Sequence, residues 1–183
     1  DGIGLTQNGP TTALARRTVT VDAEALTDSA SLVISYENSS PVAAGVVADQ
    51  NSDGDEYDQL PLLVFTLKGE KDDVEITELI AGITRGVGTV ATATTAYLYE
   101  AGNPVAVDTA TVNSTSATAG TATFDNFDYI IPKDTTKTLT LKVDIRYADT
   151  TGTTFIGAVT AGTDVDVENM SGTAITETGT ATG

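Results

Sequence analysis

Apolar and polar residues alternate along much of this chain with a period of two, which is typical of β-strands that bury one face. The clearest run is residues 137–147, where every second residue is apolar: Leu139, Leu141, Val143, Ile145 and Tyr147. Alternation this regular leaves the other face wet, which favours an antiparallel sheet. We therefore expect this apolar row to lie in the core and the residues between its members to face water.

Shorter runs of the same kind recur along the chain, separated by turn residues. They lie at residues 17–21, 31–36, 60–67, 74–83, 95–99, 104–112, 121–129, 155–159 and 165–167. A change of phase near Glu78 predicts a β-bulge, and residues 100–103 predict a hairpin turn. The pattern indicates an all-β fold of about nine or ten strands.

No linker-like stretch divides the middle of the chain, so the sequence favours one domain. We assign residues 17–169 to a single β-sandwich. Residues 1–16 form an N-terminal arm in this interpretation, and residues 170–183 form a C-terminal tail.

Composition narrows the possible chemistry. The 183 residues include no Cys and no His, which excludes imidazole catalysis, Cys nucleophiles and Cys/His zinc sites. A formal charge of -17 repels phosphate backbones and anionic lipids, so we expect neither nucleic-acid binding nor membrane-surface binding. No apolar run is long enough for a membrane span. Hydrophobic residues nevertheless make up 40% of the chain, enough for a packed core, and we expect no enzymatic activity.

The order of segments between Leu62 and Ile145 resembles immunoglobulin-like modules of bacterial and archaeal secreted and cell-surface proteins. The similar segments are residues 62–65, 73–79, 96–99, 122–124 and 131–143. The resemblance implies an antiparallel immunoglobulin-like or jelly-roll-like β-sandwich with extended terminal arms. The arms also resemble those of donor-strand filament subunits, which implies a pilus-like assembly.

One acidic loop is a candidate calcium site. Oxygen ligands at alternate positions are typical of calcium loops, and a glycine permits their sharp turn. The candidate ligands are Asp49, Asn51, Asp53, Asp55 and Asp58. The twelfth position is Leu60 where such loops carry a bidentate Glu, so a solvated acidic turn is the alternative. Calcium is the only cofactor that the sequence predicts.

Three sequons provide candidate glycosylation sites, at Asn38, Asn113 and Asn169. All three fall in predicted turns. Three is close to the number expected by chance, so glycosylation is permitted by the sequence but not indicated.

These features favour an extracellular structural subunit that forms a filament or surface array by β-strand complementation between its own copies. The first residue is Asp1, which we interpret as the result of signal-peptide removal, with a cut fragment as the alternative. The first choice of donor strand contains Val19 and Val21, and residues 174–182 are the second choice. Residues 17–21 are equally well interpreted as the first strand of their own domain.

A calcium-stabilised adhesin or carbohydrate-binding surface module is the alternative function. The acidic loop would then hold calcium that contacts sugar, with glycans as partners. We rank this function second because most tyrosines fall inside predicted strands.

Overall fold

The computed structural model describes residues 30–45, 57–147 and 154–183. These ranges contain ten strands and one short 3₁₀ helix. The first five strands are β1 (Ser31–Tyr36), β2 (Tyr57–Glu70), β3 (Val74–Arg85), β4 (Ala93–Glu100) and β5 (Asp108–Ser114). The other five are β6 (Ala119–Ile131), β7 (Thr136–Ile145), β8 (Phe155–Thr160), β9 (Val165–Asn169) and β10 (Thr176–Thr182).

The only helical segment in these ranges is the single turn Val90–Thr92. Within the same residues, the structure contains no helix with the length and apolar character needed to cross a membrane.

Nine of the strands close into a mixed β-barrel, in the order β6-β5-β4-β7-β2-β1-β10-β8-β3, with β3 pairing back to β6. The remaining strand, β9, pairs with β3 next to β8. The prediction of an antiparallel immunoglobulin-like or jelly-roll-like sandwich is therefore wrong. Both architectures give the same alternation along each strand, so the pattern did not distinguish a closed sheet from two stacked ones.

Closure depends on the end of the described chain. Residues 176–182, part of the segment that the sequence assigned to a C-terminal tail, form β10 between β1 and β8. The β1–β10 ladder is parallel, whereas the other ladders between the described strands are antiparallel. The predicted N-terminal arm and the strand at 17–21 lie outside the described residues.

Inward-facing residues of all these strands fill the barrel. The apolar row of β7 is buried as the alternation predicts, with Leu139, Leu141 and Val143 fully inaccessible to solvent. Gly157 of β8 faces the same interior, and a Cβ added there would lie 2.8 Å from Leu141 Cδ2. The missing side chain at Gly157 therefore lets β8 pack directly on Leu141.

Two local predictions can be compared with the strands. The bulge near Glu78 is confirmed, because the pairing of β3 with both β6 and β9 shifts register between Ile76 and Glu78. The predicted hairpin is present between β4 and β5. The second strand begins later than predicted, at Asp108, because residues 101–107 form the connection.

We expect Leu141→Ala to lower the free energy of unfolding by about 2–5 kcal/mol, because it leaves a cavity against Gly157. Thr140→Ala, on the half-exposed outer face of the same strand, should cost only a few tenths of a kcal/mol. Urea unfolding of both variants measures the difference. Equal losses would contradict the assignment of the two faces.

Candidate functional site

The candidate site for assembly is the seam of the barrel, where β1 pairs with β10. Residues 31–35 of β1 pair in parallel with residues 176–180 of β10. On its other side, β10 pairs with β8 through residues 180–182, opposite 158–160, and hydrogen bonds from Ala161 to Gly179 and from Gly183 to Gly157 extend this contact. Only Gly179 and Thr180 have partners on both sides, so the strand is held by two short, staggered ladders.

The residues just before β10 also form a hairpin with β9. An isolated bridge joins Glu168 to Ala174, and the amide of Ile175 donates to the carbonyl of Val167 (3.1 Å). Residues 174–182 therefore contact β9, β1 and β8 in succession.

The turn of this hairpin is held by the side chain of Asn169. Its Oδ1 accepts hydrogen bonds from the amides of Ser171 (3.0 Å) and Thr173 (3.1 Å). The amide of Gly172 donates to the Asn169 carbonyl (2.8 Å). Gly172 has a φ of 74°, in the left-handed region that favours glycine.

Very little apolar surface anchors β10. Ala181 is the only fully buried residue of the strand, and Ile175, just before it, is partly buried. Burial of one methyl group contributes about 0.8 kcal/mol. Backbone hydrogen bonds contribute roughly 1 kcal/mol each, so the ladders hold β10 in place more than its side chains do.

Gly179 permits the close approach of β10 to β1. It lies opposite Ile34 and has a φ of 98°. A Cβ built on Gly179 would overlap the carbonyl oxygen of Ile34. Glycine is therefore required here both by the backbone angle and by the space.

A polar cluster lies at one end of the barrel. Glu100 and Lys137 continue the inward-facing positions of β4 and β7, and they form an ion pair at 2.5 Å. The hydrogen bond from Lys137 lowers the pKa of Glu100. Tyr129 is buried beside this pair and stacks on Phe127 at a centroid distance of 5.1 Å. Burial, followed by the negative charge of Glu100, raises the pKa of Tyr129.

A second polar network lies on the outer face of β2, β7 and β4. Tyr97 donates a hydrogen bond to Asp144 Oδ2 (2.6 Å), which raises the pKa of Tyr97 to about 12. Tyr99 donates to Gln59 Oε1 (2.9 Å), and Lys142 Nζ lies 4.0 Å from the centre of the Tyr99 ring. The polar groups of both tyrosines are thus already engaged within the chain.

The predicted calcium loop is only partly described. Asp58 is exposed at the start of β2, whereas Asp49, Asn51, Asp53 and Asp55 lie outside the described residues. Among the residues that the structure describes, no three acidic side chains are grouped so as to hold a metal ion. The calcium site stays a prediction.

The three sequons occupy different settings. Asn38 is exposed in a turn after β1, as predicted, but its sequon residue Ser40 is buried and bonds to the backbone of Val64. Asn113 lies exposed within β5, so its assignment to a turn is wrong. Asn169 ends β9, half-buried, and its Oδ1 caps the following turn. Whether any of them is glycosylated stays a prediction.

Val19 and Val21 of the predicted donor strand lie outside the described residues. The seam itself was missed as the centre of the fold, although two signals were present. Threonines alternate through residues 176–182, and the sequence Asn-Met-Ser-Gly at 169–172 is typical of a turn. A polar strand does not resemble the core strands, so the sequence predicts a tail at residues 170–183 and offers residues 174–182 only as the second choice of donor strand.

We expect Gly179→Ala to lower the free energy of unfolding by about 3 kcal/mol or more, because β10 must move away from Ile34 and lose ladder hydrogen bonds. Gly102→Ala is the matched control. Gly102 has a φ of 82°, and nothing lies within 4 Å of its added Cβ. Gly102→Ala should lower the free energy of unfolding only by the backbone strain, which is about 1–2 kcal/mol. Equal urea midpoints for the two variants would contradict the close approach at the seam.

We expect Glu100→Gln to destabilise the chain by about 0.5–1 kcal/mol at pH 7, a modest effect because both partners retain partial exposure. The folded-state pKa of Glu100 is lowered, so its contribution is present above the ordinary value of 4.5. That contribution disappears as the pH falls through the folded-state pKa. Urea unfolding should therefore show a smaller difference between variant and wild type at about pH 2.5. A difference that persists at that pH would show that the loss does not come from the carboxylate charge.

Comparison with known proteins finds no family model, no curated protein and no solved structure that matches this chain. The argument for a function therefore depends on the contacts described above.

Proposed function

We propose that this chain is a non-enzymatic structural subunit of an extracellular filament or surface array, and that its copies join by β-strand complementation. The observation that carries the proposal is the seam, where the mostly polar strand β10 completes the barrel through its backbone. A strand of this kind is exchangeable, because a second copy of it offers the same hydrogen bonds.

The distribution of charge supports this location for assembly. Strand β9, at the end of the strand order, belongs with β3 to an outer face rich in carboxylates, where Glu75 of β3 lies opposite Glu168 of β9. On the same face, Glu78 pairs with Asp166 on one side and with Asp125 on the other. Charged edges discourage unspecific pairing between sheets. By contrast, β1 contains no charged residue, and β10 contains only Glu177.

The test is the oligomeric state of the full chain. We expect concentration-dependent oligomers in sedimentation velocity and linear particles in negatively stained images. Oligomer mass should increase from about 0.01 M to about 0.3 M salt, because salt screens the repulsion between chains of charge -17. A chain that stays monomeric at every concentration and ionic strength would contradict the proposal.

The second candidate function is the calcium-stabilised adhesin or carbohydrate-binding module. The observation that favours it is that Tyr97 and Tyr99 lie half-exposed on the outer face of β4, with the charge of Asp58 close enough to influence Tyr97. Calcium held at Asp58 would therefore lie near the Tyr97 ring. Binding to a glycan array that requires calcium would favour this function over self-assembly.

A further inference from the structure

Residues 169–173 form the turn that connects β9 to the segment carrying β10. We propose that residues 169–173 act as a hinge, and that its opening moves residues 174–182 into the same position in a second copy of the chain. This inference rests on the proposed function and specifies how it operates.

The exchanged segment would remake its contacts without change. In its own barrel it bonds to β9 at Glu168, to β8 at residues 158–160 and to β1 at residues 31–35. A second copy presents all three strands in the same arrangement. The contacts in the closed and exchanged forms therefore differ only at the hinge.

The hinge is composed of residues that can become extended at little cost. Ser171, Gly172 and Thr173 are exposed, so straightening the turn uncovers no core residue. Five extended residues span about 17 Å, enough to carry the segment away from its own barrel. What opposes opening is the cap of Asn169 on the amides of Ser171 and Thr173, together with the backbone hydrogen bonds from Gly172 to Asn169 and from Asn169 to Thr173.

The hinge is compatible with two forms of assembly. If two copies exchange segments reciprocally, the result is a closed dimer. If each copy donates to the next, the contact is heterologous and the result is an open chain. Exchange of the second kind forms a filament without any further interface.

The first test compares two glycine substitutions. Gly172 and Gly102 have φ values of 74° and 82°, and the nearest atom to an added Cβ is 4.0 Å away at Gly172, with none within 4 Å at Gly102. Alanine should strain both turns similarly. Opening the hinge relieves this strain only at position 172. Relief favours the open form over the closed form by a factor of roughly 5–30 per hinge. We therefore expect Gly172→Ala to raise the association constant by at least about fivefold in sedimentation velocity, and Gly102→Ala to leave it unchanged.

The second test removes the cap. Asn169→Ala eliminates the hydrogen bonds to Ser171 and Thr173, whereas Asn113→Ala removes an exposed sequon Asn from β5. Each variant loses one sequon. Both proteins are expressed without glycosylation, so the two variants form a matched pair. We expect more oligomer only for Asn169→Ala.

The outcomes separate this inference from the function on which it rests. Equal association of each variant and its control would overturn the hinge, because general destabilisation would then explain the oligomers. Normal assembly that neither hinge variant changes would also overturn the hinge but leave strand complementation intact. If the wild type and all four variants stay monomeric, both the hinge and the proposed function fail.

Discussion

The parallel ladder between β1 and β10 is the contact on which the rest of the barrel depends. Without it, the described strands form a curved sheet with two open edges, one at β1 and one at β10. The barrel would then be open along one side, and Leu32 and Ile34 of β1 would lie at an exposed edge of the sheet. Closure therefore converts a long sheet into a packed core, although the closing strand itself contributes a single fully buried side chain, Ala181.

A seam of this kind combines accurate fit with weak attachment. The fit comes from glycine, because Gly179 allows the backbone of β10 to approach Ile34 and Gly157 allows β8 to lie on Leu141. The weakness comes from the polar sequence of β10, which buries little apolar surface. Accurate backbone complementarity with little side-chain anchoring is suited to a strand that changes partners between identical subunits.

How much of this fold the sequence predicts depends on how far apart along the chain the interacting residues lie. Alternation located the strands that bury one face, including β7 and its apolar row, and the change of phase at Glu78 located the bulge. Closure was not predictable in the same way, because the pairing of Val33 with Thr178 joins residues far apart in the chain through backbone atoms, which leave no pattern in the side chains. The candidate site follows the same division. The turn at Asn169 has a local signature, whereas the requirement for glycine at 179 depends on the distant Ile34.

The most direct test of the seam is a disulfide across it. The chain contains no Cys, so the substitutions Val33→Cys and Thr178→Cys would supply its only thiols. Val33 and Thr178 lie directly opposite each other in the parallel ladder, at a spacing that a disulfide can bridge. Pairing Val33→Cys with Ala174→Cys, about 13 Å further along the segment, is the control. At low protein concentration the account predicts that oxidation forms an intramolecular disulfide in the first pair and none in the second. Failure of the first pair to form that disulfide, or equal disulfide formation in both pairs, would contradict the parallel seam.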